Sequence, residues 1–221
     1  MVLDFFRSGS TSPMDHVHAT LVQMLRDGHE VFDTATDALF GGGKSKETKR
    51  EVKSTDRGIN EAQGDIRRSL MTHASVNLGD LALVLQYASI VKDAERIGDY
   101  AKNMYDLVRY GADFDGIEDE DELAGYRDAV AGLILEAADV FEARDAERAQ
   151  QLIAKADIFL DDYDDRVKMQ FAASSAGWEP VARALYYRFL KRITAHVMNV
   201  LTALVQPLDR LDYYDEAKDD R

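Results

Sequence analysis

Lys92-Asp93-Ala94-Glu95-Arg96-Ile97-Gly98-Asp99-Tyr100-Ala101-Lys102-Asn103 sets Glu95, Asp99 and Asn103 four residues apart in a stretch without proline. Residues four apart share one face of a helix, with about 5–6 Å between their Cβ atoms. Upstream, Leu81, Val84, Leu85, Ala88 and Val91 continue the steps of three and four into Glu95 and Gly98. The spacing predicts an amphipathic helix from about Asp80 to Tyr110. No sustained apolar–polar alternation occurs anywhere in the chain, so strands are not expected.

The same reading extends outward. Prolines occur only at 13, 180 and 207, which leaves long stretches free for helices. A first helix starts after Ser12-Pro13, with Val17, Leu21, Met24, Leu25, Gly28, Val31 and Phe32 on one face, and ends at Gly41-Gly42-Gly43. A second runs from about Lys46 to Ala74. After the Asp80–Tyr110 helix come a fourth over Glu122–Phe141, a fifth over Asp145–Ala173 and a sixth over Pro180–Asp209. The halves align: Val31-Phe32 with Val140-Phe141, Arg96 with Arg192, and Ile97, Asn103 and Val108 with Ile193, Asn199 and Leu204. The fold class is therefore all-α, two tandem three-helix bundles related by an internal repeat. The organisation is an N-terminal arm 1–12, a first bundle 13–110, an acidic linker 111–121, a second bundle 122–209 and an acidic tail 210–221. Linker and tail charges are expected to be solvated.

The 221 residues include 41 acidic and 27 basic ones, a formal net charge of −14. That balance argues against a general nucleic-acid binder and against attraction to an anionic membrane surface. The absence of cysteine excludes disulfides, thiolate catalysis and cysteine-based metal sites. The N-terminal residues do not read as a signal peptide, and the apolar stretch Leu78–Val91 is too short and too interrupted to span a bilayer. A cytoplasmic protein is expected.

Glu95, Asp99 and Asn103 form a strip of hard oxygen atoms, and Gly98 among them lets a helix or ligand come close. Two near, partly buried carboxylates repel each other and need a cation, an arginine or a proton. Asp56 and Asn60, one turn apart on the second helix with Ile59 and Ile66 on its packing face, would complete an oxygen-rich metal site if the two helices are antiparallel. An ion pair to Lys92 or Arg96, or plain solvation, satisfies the same carboxylates.

Glu95-Arg96-Ile97-Gly98-Asp99 with Asn103 resembles the signature helix of the PhoU family of phosphate-uptake regulators. Asp56-x-x-Ile59-Asn60 resembles the family's second-helix motif. The resemblance implies two three-helix bundles, each with an acidic motif that binds metal, commonly iron or zinc. It also implies a non-enzymatic regulator acting by contact with a phosphate transporter or sensor kinase, with a homodimer as a reasonable state. The second copy departs from the pattern. Lys191 stands where Glu95 does and Ala195 where Asp99 does, with His196 alongside and Asn199 retained. One competent and one degenerate site are expected, with Lys191 pairing to Asp161, Asp164 or Asp165. The competing readings are a metal-dependent enzyme on a phosphorylated substrate and a metal-free helical scaffold.

Other signals carry less. Gly43-Lys44-Ser45 lacks the upstream glycine of a nucleotide-binding loop, because Ala38 stands there. No Glu-x-x-His or His-Glu-x-x-His pattern occurs among His16, His18, His29, His73 and His196. Tyr186-Tyr187 reads as packing and Trp178 as a loop anchor. Phe5-Phe6 in the N-terminal arm reads as a docking pair, on the protein itself or on a partner.

Overall fold

The computed structural model describes residues 12–173 and 177–211. The expectations for Phe5-Phe6, for most of the N-terminal arm and for the tail beyond Leu211 lie outside them. Six helices account for nearly all of the described chain: α1 Pro13–Asp37, α2 Lys46–Val76, α3 Leu81–Tyr110, α4 Glu120–Ala143, α5 Ala146–Ala172 and α6 Glu179–Val205. No strand occurs among the described residues. No helix there is long and apolar enough to cross a membrane.

Local chemistry explains the boundaries. Ser12 accepts from the Met14 amide, and Pro13 opens α1. Ser45 accepts from Thr48 at 2.9 Å and Asp145 from Arg148 at 3.0 Å, each satisfying an otherwise orphaned first-turn donor. Gly111, at φ 101°, ends α3 in the left-handed conformation that glycine adopts without steric cost. α4 begins at Glu120, slightly earlier than the sequence predicts. α6 stops at Val205, earlier than expected, because Pro207 cannot supply an amide to continue it.

α1, α2 and α3 pack on one another, α5 and α6 form the most extensive pair of the second half, and α4 packs on both. The halves join along two seams, α3 on α6 and α1 on α4. α3 and α6 run antiparallel: Gln86 donates to the Ala203 carbonyl at 2.6 Å near one end, and the Tyr100 and Phe189 rings meet at 6.1 Å further along. One hydrophobic core runs without a break through both bundles.

The tightest point of the first bundle is at Ile97-Gly98. A Cβ on Gly98 would lie 2.7 Å from Ile59 Cδ1 of α2. A Cβ on Gly28 of α1 would lie 3.1 Å from Ile97 Cγ2. Consecutive residues of α3 thus seat both neighbouring helices, and it is a helix that Gly98 admits.

The linker is more than solvated chain. Phe114 is fully buried, its amide bonds the Leu39 carbonyl at 2.8 Å, and its ring meets Phe40 and Tyr186 edge-on. At its end Asp119 takes two hydrogen bonds from the Arg183 guanidinium of α6, at 2.9 and 2.6 Å. That pairing holds the Asp119 carboxyl below its ordinary pKa of 3.8. Around these anchors Asp113 accepts from the Asp115 amide at 3.1 Å and Glu120 from the Gly116 amide at 2.8 Å.

Two outcomes follow from these contacts. Gly98→Ala gains about 1 kcal/mol of helix propensity but forces Ile59 aside at a cost of roughly 1–3 kcal/mol. Urea unfolding should show net destabilisation, relieved in part by adding Ile59→Val, which removes the clashing methyl. For Asp119, a depressed folded pKa means that its contribution is present above about pH 3.8 and is lost as pH falls through the folded value. Asp119→Asn should therefore be less stable at pH 7, and the difference should vanish in acid titrations below that range.

Candidate functional site

α2 and α3 lie side by side because Ile59 fits over Gly98, and this brings Asp56 and Asp99 to the same ammonium group. Lys102 Nζ is 2.8 Å from Asp56 and 3.0 Å from Asp99. Asp99 also pairs with Arg96 at 3.0 Å. One turn earlier, Glu95 is 9% exposed at its side chain and holds Lys92 at 3.0 Å, with the Arg96 Nε at 3.8 Å. Three carboxylates thus meet three cations of the same chain. Burial pulls the Lys102 ammonium down, but its hydrogen bonds to Asp56 and Asp99, helped by their charges, outweigh this and leave its pKa above the ordinary lysine value.

The two amides of the predicted strip contribute less. Asn60 is exposed and donates to the Asp56 carbonyl of its own helix at 2.8 Å. Asn103 is half-buried. Among the described residues, no three His, Asp or Glu side chains come together as a metal-holding group. As they stand, the oxygen atoms of the motif are occupied by ammonium and guanidinium groups, and a metal ion would have to displace them.

The second motif is laid out differently. Lys191 reaches across to α5 and pairs with Asp164 at 2.5 Å, one of the three partners expected for it. Ala195 is buried where a carboxylate would have stood. His196 and Asn199 turn the other way, into the seam with α3. There Asp93 accepts from Asn199 Nδ2 at 3.0 Å and meets His196 Nδ1 at 2.7 Å. All three residues are less than a tenth exposed. The Tyr100 ring stacks on His196 at 5.6 Å. The role found for His196 and Asn199 is therefore a polar clasp between the two bundles.

Asp93 is the residue that the motif reading passed over, although it lies inside the quoted stretch. A signal was available: it stands three residues after Ile90 and four before Ile97, within the apolar row of α3. A carboxylate there must be buried and must find donors. His18 makes the matching clasp on the other seam. Its ring bonds the Tyr87 hydroxyl of α3 at 2.8 Å and the Glu142 carbonyl of α4 at 3.3 Å, and stacks on Phe141 at 5.1 Å. Burial pushes its pKa below 6.5.

A chain of two three-helix bundles with Glu95-x-x-x-Asp99 on the third helix is similar to PhoU proteins in part of its sequence and in fold. Residues 21–108, most of α1 and all of α2 up to the last turn of α3, match the family model for the PhoU domain. No curated protein matches the chain by sequence. Among solved structures, the phosphate transport system regulatory protein PhoU from Streptococcus pneumoniae superposes with a TM-score of 0.74 at 18% identity, over 88% of this chain and 93% of that one. PhoU from Pseudomonas aeruginosa does so with a TM-score of 0.73 at 22% identity, over 90% and 98%. At these identities the likeness is one of fold, and it extends over both bundles.

Removing Asp93 leaves His196 and the Asn199 amide buried without their acceptor. Asp93→Ala should cost about 3–5 kcal/mol in urea unfolding, with Asp93→Asn, which keeps an acceptor oxygen, costing less. Lys191→Ala, at a partly exposed pair, should cost about 1 kcal/mol or less in the same measurement.

Proposed function

We propose that this protein is a cytoplasmic regulator of phosphate transport or phosphate signalling that works by contact with a phosphate transporter or its sensor kinase. The observation that carries the reading is the PhoU domain match at residues 21–108, set in a fold that follows PhoU structures over both bundles. The site chemistry agrees with a regulator more than with an enzyme. Its carboxylates are engaged by Lys92, Arg96 and Lys102, which leaves no free pair of groups for general acid and base work.

Within this reading, metal binding at Glu95, Asp99 and Asp56, by iron or zinc, is one form and a metal-free motif the other. The ion pairs favour the metal-free form. Lys102 already does between α2 and α3 what a bridging cation would do, and Lys191 does the same between α6 and α5. A homodimer is compatible with either form.

The contact reading is tested by affinity capture of the tagged full-length chain from its native cell, with and without phosphate. Phosphate-dependent recovery of a transporter subunit or sensor kinase is expected, and recovery of neither overturns the reading. Elemental analysis beside Glu95→Ala, Asp99→Ala and Lys102→Ala separates the two forms. Substoichiometric metal in the wild type, unchanged in the carboxylate variants, is expected. Stoichiometric iron or zinc that disappears in Asp99→Ala would establish the metal form.

A further inference from the structure

Basic residues in this chain are mostly neutralised in place. On α3, Lys92, Arg96, Lys102 and Arg109 all sit in ion pairs. Among the described residues, the cations without a carboxylate partner are concentrated in the first three turns of α2. Lys46, Lys49, Arg50, Lys53 and Arg57 are all exposed, and among the described residues none has a carboxylate partner. Their spacing of three and four puts them on one helical face, where with Ser54 they line an open groove of about 420 Å³. Val52 and Ile59, on the opposite side, are buried in the bundle, so the rigid body of the protein fixes this face outward.

The surroundings restrict what can bind there. Glu47 and Glu51 flank the stripe, and Glu61 lies one turn beyond its end. A sheet-like polyanion, bilayer or duplex, would press these acids against its own charge. A single chain laid along the stripe meets only cations. The stripe has no aromatic ring for stacking bases and no apolar anchor for entering lipid. Its cations advance by helical turns, about 5.4 Å apiece over about 16 Å from Lys46 to Arg57. Carboxylates at i, i+4, i+7 and i+11 of a second helix repeat at the same pitch, whereas an extended strand repeats one face at about 6.6 Å.

We infer that the exposed face of α2 from Lys46 to Arg57 is a docking surface for an acidic helix of a partner protein. The inference rests on the contact reading above and names the chemistry of the partner's segment. Opposed charges on a rim-like surface act chiefly on encounter rate and register, so the interaction is salt-sensitive.

The probe is a labelled four-turn helical peptide with glutamates on one face at those positions. Its control has the same composition, with the glutamates spread around the helix. By fluorescence anisotropy with the full chain, the striped peptide should bind about tenfold more tightly than the control and weaken steeply with salt. Lys49→Glu with Lys53→Glu, both at exposed positions that leave the core intact, should abolish the preference. Equal binding of the two peptides, or binding unchanged in the double variant, overturns the proposal. So does tighter binding to phosphatidylglycerol vesicles or duplex DNA, or sedimentation showing that the double variant loses a dimer that the wild type forms. The two readings fail separately. If the double variant still captures the transporter or kinase in cells, the stripe proposal falls and the regulator stands. Striped-peptide binding without any cellular phosphate partner leaves the stripe and removes the regulator.

Discussion

The close crossing at Ile97-Gly98 governs the first bundle and, through it, much else. One residue of α3 lies on Gly28 of α1 and the next admits Ile59 of α2. Because packed interiors have little slack, this fixes the distances among three helices at one level. Asp56 then falls within reach of Lys102 and Asp99, and the remaining face of α3 is left for α6. The acidic motif is built around the residue that makes the crossing possible, which is why glycine stands in the middle of it.

Much of the architecture is legible in the residues. The scarcity of proline and the steps of three and four give six helices, and Ser12-Pro13 and the linker from residue 111 mark two of their ends. The pairing of Lys191 with an α5 aspartate follows from the exchange of Glu95 for lysine in the repeat. What escapes is what periodicity within one helix does not encode. It shows that a face is buried without showing which helix covers it. Asp93 and His196 are 103 positions apart and Tyr87 and His18 are 69, so their pairings exist only once the seams are formed. Phe114 stands alone among acidic neighbours, and no pattern marks one buried ring in a linker. The sequence also offered two ways to satisfy Glu95 and Asp99, a metal ion or a basic side chain. That Lys102 reaches across to Asp56 of α2 is visible only in the fold.

The charge of −14 is unevenly used. Some acids lie in the seams and crossings, where each is bound by donors of the chain: Asp93 by His196 and Asn199, Asp119 by Arg183, Asp99 by Arg96 and Lys102. Most of the rest are exposed, and the surplus on the second half accounts for the negative surface. Against that background a row of unneutralised cations on α2 stands out, because nothing in the fold requires it. Core packing uses the opposite side of that helix.

The anchoring of the linker bears on how the molecule can move. A connection between two domains acts as a hinge only if its backbone dihedrals are free to turn. Here Phe114 is pinned to the end of α1, and Asp119 is clamped to α6. Rotation about residues 111–119 would have to break both. The helical seams, by contrast, are long and mostly apolar, with polar clasps at His18 and His196. Shape change in such a body takes the form of shear, the small sliding of packed helices past one another.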